Sequence, residues 1–187
     1  MDETFSTDDK SLEWNETGRR ELLRTVVFTV NETDSTGPNG EAGHYVVTDA
    51  PDWCIVIAED GDDFLMVRQW RHALKGLSVE FPGGVIEKGE DPKVAASREL
   101  LEETGFKAGT LELLGSMNPN PALFSNRVYV FLARNLEKAG AQSLDADEFV
   151  AFSRIPKKKV FEQMGTTAQP HALMTAALCL YLKQFHI

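Results

Sequence analysis

Three glutamates within one short stretch are suited to holding a divalent cation. Glu99, Glu102 and Glu103 stand at positions i, i+3 and i+4, so a helix brings all three side chains to one face. Like charges at these spacings oppose helix formation, whereas clustered carboxylate oxygens are what Mg²⁺ binds beside a substrate phosphate. An isolated pair of glutamates is more often a solvated acidic surface, so the surrounding residues decide between the two interpretations.

The neighbouring residues favour a cation site. Residues 81–84 are Phe-Pro-Gly-Gly, which predicts a tight turn whose backbone can approach a ligand closely. Glu90 follows, and Arg98 lies one helical turn before Glu102, where its planar guanidinium can orient carboxylates. Together these residues indicate a site for a hard cation and a phosphate-bearing substrate.

The stretch from Gly84 to Phe106 resembles the Nudix box, Gx5Ex7REUxEExGU, in which U is an aliphatic or bulky apolar residue. Every fixed position of that pattern is matched, and Phe106 fills the last apolar position. With its flanking strands and terminal helix, the resemblance extends over about residues 20–187. It implies an α/β fold, the Nudix α/β/α sandwich with a mixed sheet, and a hydrolase that uses Mg²⁺, with Mn²⁺ as a possible substitute.

The resemblance also implies roles for the residues of the box. Glu99 and Glu103 would be the principal metal ligands, with Glu102 and the carbonyl of Gly83 sharing the ions. Glu102 and Arg98 are also expected to be catalytic, and Arg98 would support the metal ligands. Metal ions held there would neutralise charge on a diphosphate and activate a water molecule.

A general base is expected outside the box, in a later loop. In the branch of the family that acts on ADP-ribose, the base comes from such a loop, and Glu148 occupies the corresponding place. Asp145 and Asp147 are rival candidates, and the alternative for each is a solvated acidic loop.

Three features resemble the branch that cleaves ADP-ribose and other nucleoside diphosphate sugars. Pro121 lies sixteen residues after Gly105 and resembles a proline that marks this branch of the family. Pro119 is the rival candidate for that proline. Residues 67–71 resemble the strand that carries a phosphate-binding arginine, here Arg71, although a pairing of this arginine with a nearby carboxylate is the alternative. About fifty residues precede the core. In this branch such an extension forms a sheet exchanged across a homodimer.

Four residues are predicted to bind substrate: Arg71, Glu80, Pro121 and Tyr45. Tyr45 competes with Phe28 and Trp53 as the aromatic side chain that stacks on the base, and core packing is the alternative for each. The expected reaction is hydrolysis of ADP-ribose to AMP and ribose 5-phosphate. GDP-mannose or another nucleoside diphosphate sugar, a nucleoside triphosphate and a non-catalytic Nudix-fold sensor remain alternatives.

The helices and strands that position these residues are predicted from apolar patterns, turn residues and helix caps. Residues 1–12 are expected to be disordered, residues 13–50 to form a β-hairpin extension and residues 51–187 to form the hydrolase domain. The hairpin would pair strands at 22–30 and 44–48 across a turn. A helix over 91–104 is bounded by Asp91 as its cap and Gly105 as its exit. Further strands are expected at 53–58, 64–70, 110–116, 127–134 and 148–153, and helices at 156–164 and 167–185.

Composition narrows the partners to small molecules. The 187-residue chain has a net charge of −10 and 42% apolar residues, which suits a folded domain and disfavours nucleic acid and anionic membrane. Cys54 and Cys179 lie in apolar runs and are predicted to be buried free thiols. Residues 1–10 lack the character of a signal peptide and the longest apolar run is too short to span a bilayer, so a cytoplasmic location is expected.

Overall fold

A computed structural model describes residues 9–185. The chain divides into two compact units, one formed by residues up to Ala50 together with Asn120–Asn126, the other by Pro51–Pro119 and the chain from Arg127 onward. The predicted tail at 1–12 falls mostly outside the described residues, and Asp9–Ser11 form a single 3-10 turn.

The first unit is a three-stranded antiparallel sheet, β1 (Asn15–Arg24), β2 (Thr29–Thr36) and β3 (Ala42–Asp49), in the order β1-β2-β3. The prediction of one strand over residues 22–30 was wrong, because this run contains the turn between β1 and β2. The Thr25 hydroxyl makes the turn possible by accepting hydrogen bonds from the N–H groups of Val27 at 3.2 Å and Phe28 at 3.0 Å. The run at residues 22–30 is rich in β-branched residues and yet contains a turn, because a side chain stabilises that turn.

The second unit is built on a mixed sheet of six strands. These are β4 (Trp53–Asp60), β5 (Asp63–Arg71), β6 (Gly76–Glu80), β7 (Phe106–Met117), β8 (Val128–Lys138) and β9 (Val150–Pro156). Five strands run in the order β6-β5-β4-β8-β7, and β9 pairs with β5. The β4–β8 pair is parallel and the others are antiparallel. Strand β6 was not predicted, because its five residues show only a short alternation and pairing with β5 stabilises it.

Helices cover both faces of this sheet, as the resemblance implied. Alternate side chains of β4 point to opposite faces, so Ile55 and Ile57 pack in the core beneath α3 (Ala172–Phe185) while Cys54 and Val56 pack beneath α1 (Pro92–Thr104). A short helix, α2 (Lys157–Gln163), lies between β9 and α3 in the chain. The predicted α/β sandwich with a mixed sheet is confirmed.

Helix α1 begins and ends as its local sequence predicts. The Asp91 side chain accepts hydrogen bonds from the N–H groups of Lys93 and Val94, and Gly105 ends the helix in the left-handed conformation with φ 71°. The buried face consists of small and apolar residues, Ala95, Ala96 and Leu100, together with Glu103 and Thr104. Helix α3 starts at Ala172, later than the predicted residue 167.

One of the two predictions about cysteine burial was wrong. Cys54 is buried in β4, whereas Cys179 is exposed on α3, because an amphipathic helix exposes part of even an apolar run. Among residues 9–185, no helix is both long and apolar enough to cross a membrane.

Candidate active site

The second unit contains a cleft of about 410 Å³ that gathers most of the predicted site residues. Its walls come from β4, β5, the turn after β6, helix α1 and the loop before β9. The lining residues are Trp53, Gln69, Arg71, Gly83, Gly84, Val85, Glu87, Arg98, Glu99, Glu103, Asp145 and Glu148.

The glycine turn is pressed against both β4 and the glutamates of α1. A Cβ at Gly83, where φ is 151°, would lie 2.1 Å from the Cys54 carbonyl oxygen. A Cβ at Gly84 would lie 2.6 Å from Oε1 of Glu99. The Gly83 N–H donates a hydrogen bond to Oε2 of Glu103 at 2.9 Å. Only glycine therefore permits this approach of backbone to carboxylate.

Glu103 and Glu99 are carboxylates in a poorly solvated position. Burial raises the pKa of Glu103 to about 8; the Gly83 hydrogen bond opposes this shift, and the charges of Glu99 and Glu148 add to it. The pKa of Glu99 is also raised, first by burial, with Arg98 opposing. The ionised forms of both carboxyl groups are therefore poorly stabilised by their surroundings, and a bound cation would stabilise them.

Arg98 donates hydrogen bonds to three carboxylates. Its Nε and Nη2 donate to the two carboxylate oxygens of Glu90 at 3.0 and 2.9 Å, and its Nη1 donates to Glu99 at 2.8 Å and to Glu102 at 3.1 Å. This is the orienting arrangement that the spacing suggested. Glu102 itself does not line the cleft, and its side chain is 38% exposed beside Arg98. Its predicted roles as metal ligand and catalytic residue stay predictions.

Arg71 reaches the cleft while paired with a buried carboxylate. Its Nε donates to Oε1 of Glu80 at 2.8 Å and its Nη2 donates to Oε2 at 2.5 Å. The Glu80 side chain is only 2% exposed and does not line the cleft. The pairing with a nearby carboxylate is therefore present. It leaves the guanidinium at the cleft wall, and phosphate binding by Arg71 stays a prediction. Direct substrate binding by Glu80 stays a prediction.

The loop before β9 brings two of the three candidate bases to the cleft. Asp145 and Glu148 line it and Asp147 does not. The Glu148 N–H donates to the Asp145 carbonyl at 3.0 Å, and the Asp145 N–H donates to Oε2 of Glu148 at 3.3 Å. This turn holds the Glu148 carboxylate against the backbone of Asp145, just before β9.

Two predicted substrate residues belong to the first unit. Tyr45 lies on β3, 48% exposed, with its ring edge-on to Trp14 at 5.6 Å. Pro121 lies in the segment Asn120–Asn126, whereas its rival Pro119 belongs to the second unit. Sequence reasoning missed Gln69 and Glu87 as lining residues; Gln69 stands two residues before Arg71 on one strand, a spacing that places both on one face.

The donor chemistry of the cleft fits a hard divalent cation. Within residues 9–185, no three acidic, histidine or cysteine side chains form a closed metal cage. Mg²⁺ does not need one, because it keeps several waters and binds through one or two carboxylates plus substrate phosphate. Glu99 and Glu103, whose pKa values are raised first by burial and then by neighbouring negative charge, would supply such carboxylates beside the Gly83 turn.

This fold and this cleft define a hydrolase of the Nudix family. Residues 48–178 match the NUDIX domain family, and the chain belongs to that family. It is 36% identical over 143 residues to the ADP-ribose pyrophosphatase of Bacillus subtilis (strain 168), covering 75% of this chain and 77% of that protein. It is 34% identical over 166 residues to a methanol dehydrogenase activator of Bacillus methanolicus, covering 83% of this chain and 89% of the relative.

A solved structure supports the same assignment. The crystal structure of an ADP compounds hydrolase superposes with a TM-score of 0.81 at 25% identity, covering 94% of this chain and 97% of the other. The expected family and the expected enzyme class, a Nudix hydrolase, are confirmed.

Proposed function

We propose that this enzyme hydrolyses the diphosphate linkage of a nucleoside diphosphate sugar, with ADP-ribose as the substrate and AMP and ribose 5-phosphate as the products. The observation that carries the proposal is that Arg71, held by Glu80, shares one cleft with Glu99 and Glu103. A fixed guanidinium suits a diphosphate, and paired carboxylates suit the cation that accompanies it. The similarity to an ADP-ribose pyrophosphatase supports the choice of adenine and ribose.

The proposed cofactor is Mg²⁺, which Mn²⁺ can replace. Glu99, Glu103, Glu102 and the Gly83 carbonyl would hold it. When bound, the metal neutralises charge on the phosphate oxygens and lowers the pKa of the attacking water. Arg98 keeps Glu99 and Glu102 in place through its hydrogen bonds to both.

The protein's own groups then have distinct tasks. Arg71 binds the diphosphate and fixes its orientation. Glu148 accepts a proton from the water whose oxygen attacks one phosphorus atom. The bond from that phosphorus to the bridging oxygen breaks, and the bridging oxygen leaves on the other phosphate. Tyr45 and Pro121 are proposed to contact the substrate outside the diphosphate.

We also propose that the enzyme is a homodimer assembled through the first unit. This unit exposes several apolar side chains near the turn between β1 and β2: Val26 is fully exposed, and Val27 and Leu23 are more than half exposed. Exposed apolar clusters of this kind mark protein interfaces. Light scattering on the intact chain and on Val26→Asp/Val27→Asp tests this, with a shift to half the mass expected for the variant. A wild-type monomer would contradict it.

A substrate panel tests the catalytic proposal. ADP-ribose, ADP-glucose, GDP-mannose, dGTP and triphosphorylated RNA are each incubated with the enzyme and Mg²⁺, and phosphate-bearing products are identified by mass. We expect the highest kcat/KM for ADP-ribose, and no turnover after chelation. A preference for GDP-mannose would change the sugar, and a preference for dGTP or RNA would change the class. Absence of turnover on every compound would favour a sensor.

A further inference from the structure

A second cleft of about 460 Å³ lies in the same unit, between strands β5 and β9 and helix α2 with the loop that follows it. Its floor includes Met66 and Arg68 of β5, whereas Gln69 and Arg71 of that strand line the catalytic cleft. Adjacent strand residues point to opposite faces. The second cleft is therefore separate from the catalytic cleft, on the other side of β5.

This cleft is basic in a strongly acidic protein. Its cationic lining residues are Arg68, Arg154 and Lys159; Arg154 pairs with Asp60, whereas Arg68 and Lys159 form no ion pair with any residue between 9 and 185. Most arginines of this chain are paired with a carboxylate, and Lys157 and Lys158 each have a glutamate partner. No aspartate or glutamate is among the described residues that line the cleft. The chain has a net charge of −10, so carboxylates that could pair with these two cations are abundant. Two cations left without a carboxylate partner in one concave site therefore indicate an anionic ligand.

The remaining lining residues narrow the ligand further. Ser153, Gln163 and Gln169 offer hydroxyl and amide groups, and Val79 and Ile155 offer apolar surface. A volume of about 460 Å³ exceeds what a bare ion fills and falls in the range of small-molecule sites. Two cations match the charge of a phosphate monoester, and the amides and hydroxyl match the alcohol groups of a sugar.

We propose that this second cleft binds a phosphorylated sugar, with Arg68 and Lys159 holding the phosphate. The site requires neither the catalytic metal nor substrate turnover. Ligand binding in the second cleft is therefore measured independently of hydrolysis. The proposed binding site and the proposed hydrolase activity can each fail without the other.

The test uses the full chain in chelator, with glucose 6-phosphate as the probe and amide chemical shifts as the readout. We expect saturable shifts at Arg68, Ala151, Ser153 and Lys159, and smaller affinity for inorganic phosphate or glucose alone. The double variant Arg68→Ala/Lys159→Ala should weaken binding by at least about tenfold, because it removes two charged hydrogen-bond donors.

The matched control is Arg127→Ala/Lys158→Ala, which removes one arginine and one lysine outside the cleft lining. It should bind the probe as the wild type does. Equal weakening in both double variants would show only a general charge effect and would overturn the proposal. So would shifts confined to the catalytic cleft, or no saturable shift at millimolar probe. Thermal unfolding of each variant verifies the fold, and little change in stability is expected because all four side chains are exposed.

Discussion

Arg71 and Glu80 are joined by two parallel hydrogen bonds, from Nε to Oε1 at 2.8 Å and from Nη2 to Oε2 at 2.5 Å. Burial would raise the pKa of Glu80, but the hydrogen bonds and charge of Arg71 outweigh it and the pKa is lowered. Glu80 therefore stays ionised and acts as a fixed anchor. The guanidinium it holds is consequently fixed in orientation, which would reduce the entropic cost of the proposed contact with a diphosphate.

Replacing Arg71 by lysine should impair substrate binding more than chemistry. Lysine keeps the charge but cannot make the two-pronged contact with Glu80 and a phosphate at once. We expect KM for the preferred substrate to rise about tenfold or more with a smaller change in kcat. Steady-state kinetics measure this, with Arg127→Lys as the same chemical change outside the cleft lining. An unchanged KM would remove Arg71 from the binding role.

Replacing Glu148 by glutamine should reduce turnover and spare binding. Glutamine has nearly the same shape but cannot accept the proton, so kcat should fall at least about a hundredfold. Asp147→Asn is the matched control, since Asp147 does not line the cleft, and it should retain near-normal turnover. A large loss in Asp145→Asn with little loss in Glu148→Gln would move the base to Asp145.

Adding one methyl group at Gly84 should displace Glu99 without unfolding the protein. The new Cβ would lie 2.6 Å from Oε1 of Glu99, the mobile end of a side chain, so the carboxylate moves and the backbone does not. We expect Gly84→Ala to lower kcat about tenfold or more and to raise the Mg²⁺ concentration needed for half activity. Gly140→Ala, where no atom lies within 4 Å of the added Cβ, is the control and should behave as wild type. Wild-type Mg²⁺ dependence in Gly84→Ala would argue against Glu99 as a ligand.

Glu59 should stabilise the fold at neutral pH and lose this effect in acid. Its carboxylate accepts hydrogen bonds from Arg134 at 2.7 Å, Lys157 at 2.5 Å and Tyr181 at 2.7 Å. Burial would raise its pKa, but these partners outweigh burial and lower it from the ordinary value of 4.5. A lowered pKa in the folded state means that the stabilisation is complete above about 4.5 and is lost as the pH falls through the folded-state pKa.

Glu59→Gln should therefore lower the free energy of unfolding by about 2 kcal/mol at pH 7, because two cations lose their partner. The difference from wild type should shrink as the pH falls below about 4.5. Urea unfolding across that pH range measures it. Glu137→Gln, at an exposed position of β8, is the control and should change stability by less than about 0.5 kcal/mol. A difference that is constant with pH would contradict the ionic origin.

Local sequence determined the parts of the site that depend on neighbouring residues. The spacing of Glu99 and Glu103 placed both on one face of α1, and the position of Arg98 one turn before Glu102 is consistent with its hydrogen bonds to Glu99 and Glu102. Asp91 and Gly105 marked the ends of that helix because caps are set by backbone geometry within one turn. Continuous apolar runs on either side of the turn at residues 59–63 likewise located β4 and β5.

Only the tertiary structure decided which distant groups meet. The pairing of β6 with β5 places Glu80 opposite Val67, and the Glu80 carboxylate then meets the Arg71 guanidinium farther along β5 on the strength of side-chain reach. No local pattern marked β6 as a strand. The turn at Thr25 divided what looked like one strand, since a side-chain hydrogen bond outweighed β-propensity there. Glu103 lines the cleft, whereas Glu102 lies outside it beside Arg98. This difference depends on how α1 packs on the sheet. Strand register and helix packing arise from long-range contacts, which periodicity along the chain does not encode.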